Sequence, residues 1–249
     1  MSGHSKWANI KHRKGKQDAQ RARIFTRLGK EIIVAAKQGG GDPENNLRLK
    51  NVIQKARAAN MPMDNITRVI QKATGELAGV NYEELTYEGY GPGGAAVMVE
   101  VMTDNRNRTA ADVRHIFSKY GGNLGETGCV GWMFEKKGVI TIEKEGLGKD
   151  ADEIMMIALD AGAGDVQEDD DNFEITCAPE DFGAVDAAVR ESGLNPIAAE
   201  VALVPQNTVA LEGNDAVKML KLMDALEDHD DVQNVFSNFD IDDELIMNQ

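Results

Sequence analysis

From about Asp18 to Lys37 the apolar residues Phe25, Leu28, Ile32 and Ala35/Ala36 recur at three- and four-residue spacing, and Gly39-Gly40-Gly41 follows. This spacing predicts an amphipathic helix stopped by glycine. Asp42-Pro43-Glu44 then offers a capping carboxylate and a proline at the first helical position. The second helix it opens carries Leu49, Val52, Ile53 and Ala56 on one face and ends before Pro62. A third helix runs to Thr74, with Ile66, Val69, Ile70 and Ala73 inward and Gly75 beyond its end. Three short amphipathic helices predict a small helical domain, residues 1–79.

From Tyr82 the period changes to two. Glu84–Tyr90 and Ala95–Thr103 read as strands, the second with Val97, Val99 and Val101 on one face. A helix over about Thr109–Tyr120, capped by Thr109 or Asn107 and closed by Gly121-Gly122, precedes an apolar strand around Cys129–Phe134. Between Gly138 and Val204 the order is strand, helix, strand, strand, helix, strand, a complete βαββαβ unit of the ferredoxin-like kind. The remaining helix (Asp215–Glu227) and strand (Val232–Phe239) supply what the earlier α+β stretch lacks. The expectation is a multidomain α+β protein in which an N-terminal three-helix domain precedes two ferredoxin-like α+β domains, one inserted in the other. The boundaries are 1–79, 80–136 plus 205–249, and an insert of 137–204. Glu135–Gly138 and Pro205–Asn207 serve as linkers.

Composition narrows the class. The 249 residues are 42% hydrophobic and 28% charged, which excludes collagen-like and disordered chains, and two cysteines do not make a disulfide scaffold. No apolar run approaches the roughly 18 residues of a membrane span, and none follows the N-terminal charge, so a cytoplasmic, unsecreted protein with no membrane partner is expected.

Charge changes the picture most. Residues 1–79 hold 16 Lys+Arg against 6 Asp+Glu, a net of +10, whereas residues 80–249 hold 11 against 36, a net of −25; together they give the overall −15. A compact cationic segment on an acidic body gives an oriented attraction to phosphate. The densest part, residues 4–30, has nine Lys/Arg and one acid, Asp18. Lys6, Lys11, Arg13, Lys14, Lys16, Arg21, Arg23 and Arg27 are expected to neutralise phosphates, and Trp7 and His12 to offer stacking surfaces for unpaired bases. In Asp104-Asn105-Arg106-Asn107-Arg108-Thr109, Arg106 and Arg108 sit in a loop that opens a helix, where arginine forks suit phosphate or base edges; salt bridges to neighbouring acids are the alternative.

Other motifs point away from chemistry. Gly89-Tyr90-Gly91-Pro92-Gly93-Gly94 matches the dinucleotide pattern in letters, but Pro92 interrupts it and a strand follows, so it reads as a connection between strands. The acidic runs lack calcium-loop spacing and the cysteines lack zinc pairing, so no metal or cofactor is expected. No nucleophile–base constellation is evident, and no small-molecule substrate either, which makes a non-enzymatic protein the expectation.

Gly3–Lys14, Gly39–Pro43, Tyr87–Gly94, Asp104–Thr109, Phe117–Lys119, Gly121–Gly125 and Leu226–Asp228 together resemble the YebC family, which includes the mitochondrial translational activator of cytochrome c oxidase subunit I. The resemblance covers essentially the whole chain. It implies an N-terminal helical domain and two α+β domains, and a role as a regulator of gene expression. Members are labelled DNA-binding transcriptional regulators and are also described as ribosome-associated translation factors that ease synthesis through proline-rich stretches. Ribosomal RNA is the favoured target, because the charge precedes and begins the first helix in a segment broken by Gly15 instead of lining a recognition helix; duplex DNA is the alternative.

Overall fold

The computed structural model describes residues 17–75, 81–145, 147–169 and 171–241. In chain order its elements are α1 (Gln17–Gly39), α2 (Leu47–Ala58), α3 (Met63–Thr74), β1 (Glu83–Tyr90), β2 (Ala96–Thr103), α4 (Arg106–Lys119), β3 (Asn123–Leu124), β4 (Phe134–Glu143), α5 (Ala151–Asp160), β5 (Asp165–Glu168), β6 (Asn172–Cys177), α6 (Phe182–Glu191), β7 (Ala198–Pro205), β8 (Val209–Ala210), α7 (Gly213–Glu227), β9 (Val232–Ser237) and β10 (Phe239–Asp240). The protein is α+β, with a helical N-terminal region followed by sheets. The described chain forms two compact units. One comprises residues 17–129 and 213–235, the other 130–212 and 236–241.

In the first unit, Leu28, Ile32, Ala35 and Ala36 of α1 pack on Leu49, Val52, Ile53 and Ala56 of α2 and on Ile66 and Ala73 of α3. The cap of α2 differs from expectation. Asp42 closes a turn by accepting from the Glu44 amide at 3.0 Å, and Asn46 is the cap, accepting from the Leu49 amide at 3.0 Å. The Asn46 amide also donates to the Ala35 and Gly40 carbonyls, each at 2.8 Å, so one side chain joins the end of α1 to the start of α2.

The sheet of this unit has the order β3-β1-β2-β9. β2 is buried on both faces: Val97, Val99 and Val101 are buried as their alternation predicts, and so are Met98 and Met102, on the side where Arg48 of α2 pairs with Glu84. Gly91, in the loop between β1 and β2, lies so close to α7 that an added Cβ would sit 2.6 Å from Met219 Sδ. The strand expected at Cys129–Phe134 is instead a turn and a short 3-10 helix, Gly131–Met133. The edge position is taken by β3, whose Asn123 and Leu124 pair with Tyr90 and Gly89. Glycine permits this: Gly121 adopts φ 84°, and a Cβ on Gly89 would lie 2.6 Å from the Asn123 carbonyl oxygen.

The second unit contains β4, α5, β5, β6, α6 and β7, with antiparallel strand order β5-β6-β4-β7. This is the ferredoxin-like βαββαβ arrangement. Ile140, Ile142, Phe173 and Ile175 of the sheet pack on Ile154 and Ala158 of α5 and Val185 and Val189 of α6. Glu135–Gly138, expected as a linker, is strand: it pairs with Val204 through Val201.

Candidate nucleic-acid interface

The described arginines of the basic segment lie on α1. Arg21 is exposed, its guanidinium 5.4 Å from the centre of the Phe25 ring. Arg23 pairs with Asp228, and Arg27 donates to the Glu227 carbonyl at the end of α7. Burial pushes the Arg27 guanidinium below its ordinary range, and Glu227 acts against that shift. Lys6, Trp7, Lys11, His12, Arg13, Lys14 and Lys16 lie outside the described residues.

Asn105 caps α4 in place of Thr109 or Asn107, its Oδ1 accepting from the Arg108 amide at 3.1 Å, and the helix therefore begins at Arg106. Thr109 turns inward and donates to Asp231 Oδ2 at 2.8 Å. Arg108 follows, its Nη2 lying 2.9 Å from both Asp104 Oδ1 and Asp231 Oδ2. The other carboxylate oxygen of Asp231 accepts from Lys30 Nζ at 2.7 Å, and Thr103 Oγ1 lies 3.2 Å from Oδ2. Lys30 also donates to the Asp230 carbonyl at 2.9 Å. The Asp231 side chain is only 6% exposed. Burial would raise its ionisation, but the bonds from Lys30, Arg108 and Thr109 prevail and hold it well below the usual carboxylate range.

Around this cluster opens a cleft of about 600 Å³, lined by Thr26, Lys30, Tyr82, Asp104, Arg108, Asp112 and Asp228–Asp231. His229 faces Asp112 across 3.4 Å, and its Nδ1 accepts from the Asp231 amide at 3.1 Å. Five carboxylates against Lys30 and Arg108, both already paired, make a field that repels phosphate. Among the described residues no group of three or more His, Cys, Asp or Glu is placed to hold a metal ion, and no helix is long and apolar enough to cross a membrane.

Arg106 stays on the surface. The fold thus places Arg21 and Arg106 facing solvent, and Arg23, Arg27 and Arg108 against protein partners. Sequence reasoning missed Asp231, because its partners Lys30, Thr103 and Thr109 lie more than a hundred residues away in the chain. It also missed Arg114, exposed two turns beyond Arg106 on the same helix, although that spacing was available to read.

Comparison with known proteins adds an independent finding. Residues 5–76 match the model of the TACO1/YebC protein N-terminal domain, and residues 82–239 that of the TACO1/YebC second and third domain. The chain is 62% identical to a protein of Pelotomaculum thermopropionicum named probable transcriptional regulatory protein, over 98% of this chain and all of that one. It is 59% identical to a protein of the same name from Dictyoglomus turgidum, over 99% of both. Its fold is similar to the crystal structure of a conserved hypothetical protein from Aquifex aeolicus, with a TM-score of 0.84 and 46% identity over 96% of this chain and 98% of that one.

Proposed function

The chain belongs to the TACO1/YebC family, and from that premise we propose that it is a nucleic-acid-binding regulator of gene expression that acts without catalysis, associates with ribosomal RNA and eases synthesis through proline-rich stretches. The observation that carries the reading is the charge asymmetry, +10 over residues 1–79 against −25 over the remainder. The net positive charge of the first 79 residues draws phosphate, and the acidic remainder discourages indiscriminate adhesion to polyanions. The proposed contacts are Lys6, Trp7, Lys11, His12, Arg13, Lys14 and Lys16 with Arg21, Arg23 and Arg27 on α1, and the Arg106/Arg108 loop. Arg23, Arg27 and Arg108 would then act while tied to their present partners, mainly by orienting α1 and α4. That α1 commits two arginines to Glu227, the last residue of α7, and to Asp228 just beyond it supports an irregular RNA target over a helix laid in a duplex groove. The setting is cytoplasmic.

The relatives' names favour a second reading, a DNA-binding transcriptional regulator. One titration separates the two: binding of the full chain to ribosomes, to a ribosomal RNA fragment and to duplex DNA over a range of salt. With about six phosphates neutralised on single-stranded RNA, log K falls against log salt with a slope of about −4. Preference for RNA and ribosomes with such a slope supports the first reading, and preference for duplex supports the second. A slope near zero on every target overturns both.

A further inference from the structure

The pair Arg106 and Arg108, adjacent in the sequence, is divided by the fold. Arg108 is held by Asp104 and Asp231. Arg106 and Arg114 are exposed on α4, and among the described residues neither enters an ion pair. Both act on the same phenol: burial pushes the Tyr87 ionisation up, and Arg106 and Arg114 each pull it down. The Tyr87 hydroxyl donates to the Arg106 carbonyl at 3.4 Å, fixing the first turn of α4 against β1. Eight residues on a helix separate the two arginines by about 12 Å along the axis, too far to share one phosphate but suited to two phosphates of one strand. Asp104 is the acid nearest Arg106 in sequence, and its pairing with Arg108 removes it as a competitor. The negative charges of Asp231 and Glu83 act on Tyr87 in the opposite sense to the two arginines.

We propose that Arg106 and Arg114, both exposed on α4, form a second phosphodiester-binding site for single-stranded or looped nucleic acid, separate from the N-terminal basic segment. Arginine suits the task, because its planar fork gives two parallel hydrogen bonds to a phosphate. In this arrangement Tyr87 is a positioning residue and Arg108 a structural one. The inference rests on the nucleic-acid reading above and adds to it a location.

The test uses the full chain and a labelled single-stranded oligouridylate, with affinity measured across salt and unfolding followed by heat. Arg106→Ala with Arg114→Ala is expected to leave the thermal midpoint unchanged and to make the log K–log salt slope shallower by about 1.4, roughly 0.7 per lost phosphate contact. Arg106→Lys with Arg114→Lys keeps the slope and loses part of the affinity, because the charges remain and the forks do not. If the alanine pair leaves the slope unchanged while removal of residues 1–16 abolishes it, the second site is overturned and the nucleic-acid reading stands. If the alanine pair lowers the midpoint by several degrees, the arginines are structural and the site is overturned. Absence of salt-dependent binding by the unaltered chain overturns the site and the reading together.

Discussion

Asp231 shows how one buried carboxylate can hold together segments far apart in the chain. It accepts from Lys30 of α1 and from Arg108 and Thr109 of α4, and its backbone carbonyl accepts from the Met102 amide at 2.8 Å. Replacing it by alanine leaves the Lys30 ammonium buried without its counter-charge, so Asp231→Ala is expected to destabilise the protein by about 3–5 kcal/mol, measured by denaturant unfolding. Because the folded-state ionisation lies below that of the unfolded chain, the carboxylate's contribution is fully present above the ordinary aspartate range. It is lost progressively as pH falls below about 4. An Asp231→Asn protein is therefore less stable at neutral pH and shows a flatter acid limb, which thermal melts from pH 7 to pH 3 would display. An acid limb as steep as that of the unaltered chain would place the acid sensitivity elsewhere. The sequence marks Arg108 and Thr109 but not the residue that organises them, since no local pattern announces a partner 123 residues away.

At the level of elements, the helices of the first 75 residues were legible because each has to bury one stripe. The predicted inward positions Leu28, Ile32, Leu49, Val52, Ile53, Ala56, Ile66 and Ala73 are all in the core. Caps were less legible. Asp42-Pro43 has the composition of a helix start, yet Asn46 takes the cap because its side chain can also reach the Ala35 and Gly40 carbonyls. Asn46→Ala removes the cap and leaves those two carbonyls without that donor. It is expected to cost about 2 kcal/mol by urea unfolding, more than a solvent-exposed cap, and a loss below about 0.5 kcal/mol would show that the back-bonds contribute nothing. The third strand was misplaced for a related reason. Asn123-Leu124 is too short to show a period, and the apolar run Cys129–Phe134 was more conspicuous. Gly89→Ala tests the observed edge, because the new Cβ would press on the Asn123 carbonyl oxygen at 2.6 Å. A loss of about 1–3 kcal/mol is expected, with earlier amide exchange in β3.

For the whole molecule, the division into 1–79, 80–136 with 205–249, and 137–204 is a proposal about which parts fold alone. The hydrogen-bonded register extends from Phe134↔Pro205 inward, so the fragment to test is 134–205. It is expected to fold cooperatively in isolation, since βαββαβ closes its own core, and a fragment without protected amides would sink the idea of an autonomous insert. The sequence by itself determined the order of helices and strands, the inward stripes and the concentration of positive charge in the first 79 residues, because periodicity and charge are properties of neighbouring positions. Only the tertiary structure decided that Arg23, Arg27 and Arg108 hold α1 and α4 to the end of α7 and the start of β9, and that Arg106 and Arg114 face solvent together. Which arginine is free depends on which carboxylate lies within reach, and folding sets that distance across more than a hundred residues of chain.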